Sequence, residues 1–202
     1  MVIYSIHPVN PQRRHLDSVV NILKNENGIA VYPTDTVYGM GACVSNHKAL
    51  DRIAALLHKD KSRLFSFIVS DFSQISTYAQ MDNAHFKLMK RYLPGSFTFI
   101  LPATSFVPKK ISPKRKTVGV RMPDYPAIHQ LIALLGEPIA NTSINIGEEL
   151  RGDPDEVKRA VSHEVNVMLD AGHLDDPTGS TIIDMCGNEP VVVRQGKGVW
   201  RE

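Results

Sequence analysis

The chain has 202 residues and 22.5 kDa, with 23 Lys plus Arg against 21 Asp plus Glu and a formal net charge of +2. At 43% hydrophobic and 22% charged residues it lies in the globular range, which excludes a disordered chain, and the near-neutral balance excludes a generally basic nucleic-acid binder. Cys43 and Cys186 are too few for a disulfide framework or a structural zinc site, no apolar run reaches bilayer length, and the first ten residues lack the build of a signal peptide. The expectation is one domain over 1–202, able to fold unaided, in the cytoplasm and away from any membrane.

In chain order, Leu16, Val19, Val20 and Leu23 fall at helical spacing, and Asn27-Gly28 stops that helix. Ile29-Ala30-Val31-Tyr32 is a short apolar run closed by Pro33 and predicts a buried strand. The following stretch, 34–41, carries polar side chains and two glycines and predicts a loop with special backbone geometry. A second helix is expected over 48–57, with Leu50, Ile53, Ala54 and Leu57 on one face, then a buried strand over 64–69. Phe86, Met89 and Leu93 mark a third helix, ended by Pro94-Gly95. Strands are expected over 97–101 and 118–120, separated by a lysine-rich connection. Ile128, Leu131, Ile132 and Leu135 give the clearest helical stripe, with Gly136 placed for a C-cap. Ile139-Ala140 leads into Asn141-Thr142-Ser143, followed by a helix near 155–164 with Asp153 as N-cap and Pro154 in its first turn. Strands at 165–169, 181–184 and 191–194 complete the chain. The alternation predicts an α/β or mixed α+β sheet in one domain, with no internal repeat.

The familiar phosphate signatures fail. Gly39-Met40-Gly41 follows a strand, but the dinucleotide fingerprint needs a third glycine where Val44 stands. The single Gly-Lys, Gly196-Lys197, runs into Gly198 and is no P-loop. No His-Glu-x-x-His, Cys-x-x-Cys or Gly-x-Ser-x-Gly occurs.

Three polar clusters interrupt the apolar strands. Pro33 to Gly41 has two threonine hydroxyls that both donate and accept, and glycines that admit a ligand close to the backbone; the plainer reading is a turn whose hydroxyls bond their own backbone. Asn141-Thr142-Ser143-Ile144-Asn145 suits a phosphate or a ribose, or else a capped turn. Ser180, Arg194 and Arg121 form the third; a guanidinium offers paired donors for carboxylate or phosphate, or makes a surface ion pair.

Taken in order, these clusters resemble the YrdC/YciO family, the threonylcarbamoyl-adenylate synthase family, along nearly the whole chain. The likeness runs from Tyr32-Pro33-Thr34-Asp35-Thr36-Val37-Tyr38-Gly39-Met40-Gly41 through Pro94-Gly95-Ser96-Phe97-Thr98-Phe99 and Val118-Gly119-Val120-Arg121-Met122-Pro123. It continues in Thr142-Ser143-Ile144-Asn145, Ser180-Thr181-Ile182-Ile183-Asp184 and Val192-Val193-Arg194-Gln195-Gly196. The resemblance implies a single α/β domain, a twisted and largely antiparallel sheet around a deep cleft with helices outside. It implies a nucleotidyltransferase that joins L-threonine, bicarbonate and ATP, with Mg²⁺, into threonylcarbamoyl-AMP and pyrophosphate. The product then passes to other tRNA-modification proteins. By position in the motifs, Thr34, Arg121 and Ser180 fall to threonine and Ser143, Asn145 and Arg194 to the nucleotide; no metal ligand is assigned to a protein side chain.

The chain departs from the synthases at one motif. Their Lys-x-Arg pair aligns with Leu57-His58-Lys59, so the first cation is absent. Lys59 stands in as a point charge and is carried as catalytic beside Arg121, with Lys61 and Arg63 as further nucleotide contacts. This pattern resembles the YciO branch and implies a slower reaction or an altered substrate. The alternative role is binding of tRNA or other double-stranded RNA through a basic face made by Lys109, Lys110, Lys114, Arg115 and Lys116. A charge run of this kind is more often a solvated loop. A salt-steep RNA affinity lost on alanine replacement of Lys109, Lys110 and Lys114 would mark that role.

Overall fold

Side-chain spacing sets the helices. The computed structural model describes residues 1–57, 65–108, 116–144, 152–161 and 163–201. Helix α1 (Arg13–Asn25) buries Leu16, Val19, Ile22 and Leu23 on one face, and Asn27, at φ 51°, turns the chain out of it. Helix α2 (His47–Leu57) buries Ala49, Leu50 and Ile53. Helix α3 (Phe72–Tyr78) is capped by Asp71, which accepts from the Gln74 amide, and α4 (Asn83–Met89) by a capping box between Asp82 and His85. Helix α5 (Pro126–Leu135) starts on proline and ends on Gly136 at φ 72°. Helix α6 (Pro154–Val161) begins where the Asp153 carboxylate accepts from the Asp155 amide at 2.8 Å.

The strands are β1 (Val2–Ser5), β2 (Ala30–Tyr32), β3 (Gly39–Cys43), β4 (Ser66–Ile68), β5 (Phe97–Pro102), β6 (Thr117–Arg121), β7 (Ile139–Ser143), β8 (Val167–Asp170), β9 (Thr181–Asp184) and β10 (Val191–Arg194). They form one sheet in the order β1-β8-β2-β3-β7-β4-β6-β5-β9-β10. Five of its nine ladders are antiparallel, which makes this a mixed α/β sheet with antiparallel pairing in the majority. Strand β1 and helix α3 carry no period long enough to predict. The expected loop over 34–41 is shorter than its composition suggests: Gly39 and Gly41 lie in β3, paired with Ser143 and Asn141 of β7. For the same reason Asn141-Thr142-Ser143 is strand and not a capped turn.

Alternation along the strands sorts the buried residues onto two faces. Val31, Met40, Phe67, Ala140, Met168, Phe99 and Val120 join α2, α3, α4 and α6 in one core. Ala30, Tyr32, Cys43, Ile68, Ile139, Val167 and Leu169 join α1 and α5 in a second core on the opposite face. Further across the sheet this second face carries polar or small residues instead: Asn141, Ser66, Gly119, Arg121, Thr98 and Ser180. Register places them there, because Asn141 pairs with Ser66, Ser66 with Gly119, and Arg121 with Ile68 of the second core.

Candidate functional site

The connection between β2 and β3 folds inward, with Thr34 and Thr36 at 2% and 1% exposure. The Thr34 hydroxyl donates its one proton to the Val37 carbonyl at 2.7 Å. It therefore acts as acceptor toward the Thr36 amide at 3.2 Å, the Thr36 hydroxyl at 3.1 Å and Arg121 Nη2 at 3.3 Å. The turn reading and the ligand reading of this loop thus meet in one atom, which orders its own backbone and faces an arginine. Tyr38 pins the far end of the loop, donating to the Gly172 carbonyl at 2.8 Å and accepting from the Ala171 amide at 3.2 Å.

Arg121, at the end of β6, is 5% exposed. A buried guanidinium needs a counter-charge, and Asp35 supplies it: Arg121 Nη2 pairs with Asp35 Oδ1, while the Ser96 hydroxyl donates to Asp35 Oδ2 at 3.0 Å. Arg121 Nε is buried and has no hydrogen-bond partner among the described residues. Beneath lies Tyr32, whose hydroxyl donates to Asn141 Oδ1 at 2.8 Å; Asn141 Nδ2 in turn reaches the Ser66 hydroxyl at 3.4 Å. Burial pushes the Tyr32 phenol far above its usual range, with the positive charge of Arg121 pulling the other way.

The second group sits on β5, β9 and β10. The Thr98 and Ser180 hydroxyls share a hydrogen bond of 2.8 Å, and Arg194 donates through Nε and Nη2 to the Ser180 carbonyl at 3.2 and 2.7 Å. A β-bulge brings Arg194 here. Val192 pairs with Ile183 but Arg194 pairs with Ile182, so the extra residue turns Arg194 onto the face of Ser180. Without the bulge it would point toward the other core. The two groups are joined through β5, since the Ser96 carbonyl accepts from the Thr181 amide at 3.0 Å while its hydroxyl holds Asp35.

The structure therefore brings together Thr34 with Arg121, and Ser180 with Arg194. Ser143 is exposed at the end of β7, opposite Gly39. Lys116 is exposed just before β6. Lys59, Lys61, Arg63, Lys109, Lys110, Lys114, Arg115 and Asn145 lie outside the described residues. Asp35, Ser96 and Thr98 also belong to the site, although their residue types alone do not mark them. All three stand inside the motifs that carry the family resemblance, and only long-range pairing shows which of them face Arg121. Among the described residues no group of three or more His, Cys, Asp or Glu can hold a metal ion. No described helix is long and apolar enough to cross a membrane.

A buried arginine with one carboxylate counter-ion and neighbouring hydroxyls on an α/β sheet presents donors of the kind that hold an anionic group. The comparisons narrow this. A family model described as Sua5/YciO/YrdC, telomere recombination, matches residues 22–196. The chain belongs to the Sua5/YciO/YrdC family. It is 38% identical over 199 residues to the protein YciO of Escherichia coli, across 96% of this chain and 95% of that one. The crystal structure of E. coli YciO superposes with a TM-score of 0.90, covering 98% of both chains at 36% identity. The threonylcarbamoyl-AMP synthase of Bacillus subtilis is 35% identical across 89% of this chain and 53% of its own length. The crystal structure of P. abyssi Sua5 complexed with L-threonine has a TM-score of 0.85 at 27% identity, covering 97% of this chain and 58% of that one.

Proposed function

We propose that the chain is a threonylcarbamoyl-AMP synthase-like nucleotidyltransferase, joining L-threonine, bicarbonate and ATP to threonylcarbamoyl-adenylate with release of pyrophosphate. One observation carries the reading: Arg121 is buried beside Thr34, and its Nε–H has no partner among the described residues, an arrangement suited to a small carboxylate. The relatives named as synthases and the threonine complex of P. abyssi Sua5 support it. The residues act mainly by positioning. Arg121 takes the threonine carboxylate, Thr34 and Ser180 flank the amino acid, and Ser143, Asn145, Arg194, Lys59, Lys61 and Arg63 serve the nucleotide. As pyrophosphate leaves, charge grows on phosphate oxygens, and the cations on that side offset it. No side chain is assigned to Mg²⁺, which would accompany ATP and supply charge neutralisation at its phosphates. The product is consumed in the cytoplasm by a tRNA-modifying partner.

The test is pyrophosphate release from ATP, Mg²⁺ and bicarbonate, with and without L-threonine. Release that depends on threonine and is lost in Thr34→Ala and Arg121→Ala is the expected result. A threonine-independent background in the wild type, unchanged in both variants, would refute the assignment.

A further inference from the structure

The carboxylate that neutralises Arg121 has no part in the reaction outlined above. Resting on the reading of this site as an amino-acid site, we propose that Asp35 makes it specific for a zwitterion. Asp35 receives the α-ammonium group of the ligand, while Arg121, released from Asp35, takes the α-carboxylate.

The hydrogen-bond inventory is uneven in the way such an exchange requires. Arg121 Nη2 serves both Thr34 and Asp35, whereas Nε–H is buried with no acceptor among the described residues. The guanidinium thus holds an unused donor in a place that water does not reach, next to a donor committed to a displaceable partner. Asp35 has the complementary surplus. Its Oδ1 accepts from Arg121 and its Oδ2 from Ser96, which leaves acceptor capacity on both oxygens. Its side chain is also the more accessible of the pair, 12% exposed against 6% for Arg121, so an entering ligand meets the carboxylate first.

Charge balance decides which ligands enter. A carboxylate without an amine must displace Asp35 from Arg121 and strand one negative charge in a half-dry site. An amine without a carboxylate gains Asp35 but leaves Arg121 where it was, its Nε–H still unused. Only a ligand with both charges converts one internal ion pair into two and keeps the site neutral, so selectivity here comes from penalising the single-charge ligands.

The experiment is titration calorimetry on the full chain with L-threonine, with 3-hydroxybutanoate, which lacks the amine, and with threoninol, which lacks the carboxylate. The wild type is expected to bind L-threonine at least tenfold more tightly than either analogue. In Asp35→Asn, affinity for L-threonine falls roughly tenfold to a hundredfold, the range of a charge-assisted hydrogen bond, while 3-hydroxybutanoate binds more tightly than to the wild type. Equal affinity of the wild type for L-threonine and 3-hydroxybutanoate overturns the proposal, whether or not the variant folds. So does an Asp35→Asn protein that keeps the wild-type order of preference. Wild-type protein that binds none of the three would instead sink the amino-acid reading itself, a result distinct from the loss of selectivity.

Discussion

Two glycines facing the same side of the sheet should respond to alanine with opposite signs. Gly41 in β3 packs against β7 so closely that an added Cβ would lie 2.5 Å from Ile139 Cγ2, 2.6 Å from the Ala140 carbonyl oxygen and 3.0 Å from the Tyr32 hydroxyl. One of these atoms is backbone of a central strand and another belongs to a buried phenol that is already hydrogen-bonded, so none can move cheaply. Overpacking of this kind costs about 1–3 kcal/mol, and about 1 kcal/mol shifts the Tm of a chain this long by about 2–4 °C. Gly41→Ala should therefore melt about 2–12 °C below the wild type. At Gly119 in β6 the added Cβ would stand 3.5 Å from Ser66 Cβ and 3.6 Å from Thr98 Cγ2, ordinary contact distances. Its backbone needs no left-handed conformation. Gly119→Ala restricts the unfolded chain without straining the folded one, a gain of about 0.4–1 kcal/mol. Its methyl group would nonetheless rise from the polar floor between Ser66 and Thr98, so threonine-dependent turnover should show a several-fold higher KM. Thermal unfolding by circular dichroism, paired with the pyrophosphate assay, reads both effects. If the two variants shift Tm in the same direction, or Gly41→Ala melts within about 1 °C of wild type (about a quarter to a half of a kcal/mol), the packing argument is wrong.

Arg121→Ala strands the Asp35 carboxylate and should cost about 3–5 kcal/mol in denaturant unfolding; Arg121→Lys should recover part of that stability but not threonine-dependent release, because a point charge cannot present two parallel donors. Tyr32→Phe removes the donor to Asn141 Oδ1 in a fully buried place and should lower stability by about 1–2 kcal/mol, measured by the same unfolding curves. Tyr32, Tyr38 and Cys43 all hold their protons to higher pH in the folded chain, chiefly through burial, with the Cys43 thiol pushed up to about 12. The unfolded chain releases these protons first, so folding is increasingly opposed as pH rises through the ordinary thiol and phenol range, while below that range these groups cost nothing. Stability should fall from about pH 9 upward, by up to about 1.4 kcal/mol per pH unit for each group, and a flat Tm between about pH 8 and 11 would contradict this.

Much of this arrangement is legible in the sequence. The stripe Ile128, Leu131, Ile132, Leu135 and the cap at Gly136 reappear in α5 with no correction, since a helix is specified by neighbours within one turn. Strands β9 and β10 likewise fall where β-branched runs predict them. What local pattern cannot convey is pairing. Gly39-Met40-Gly41 looks like a loop because glycine is a poor strand former alone, yet β3 needs glycine there to lie against Tyr32 and Asn141. The site divides along the same line. Thr34 and Arg121 are recognisable from their motifs, but they are 87 residues apart, and their meeting depends on a ladder between β4 and β6. Asp35 carries no signal of its own, because an aspartate in a turn is commonplace and its significance lies in the one arginine it faces.

On the proposed function, the polar site and the departure from the synthase motif fall on different halves of the chemistry, and this separates recognition from rate. The proposed amino-acid half is Thr34, Asp35 and Ser96 around Arg121, held together by side-chain hydrogen bonds. The departure, Leu57 where the synthases carry a cation, is the last residue of α2, and the family resemblance gives that motif to the phosphates. A missing cation there acts on charge that exists fully only as pyrophosphate leaves, so its cost falls on the transition state and not on the bound amino acid. The expected signature is an ordinary affinity for L-threonine with a low kcat, read by calorimetry beside the pyrophosphate assay. A weak affinity for L-threonine with an ordinary kcat would break this division between recognition and rate.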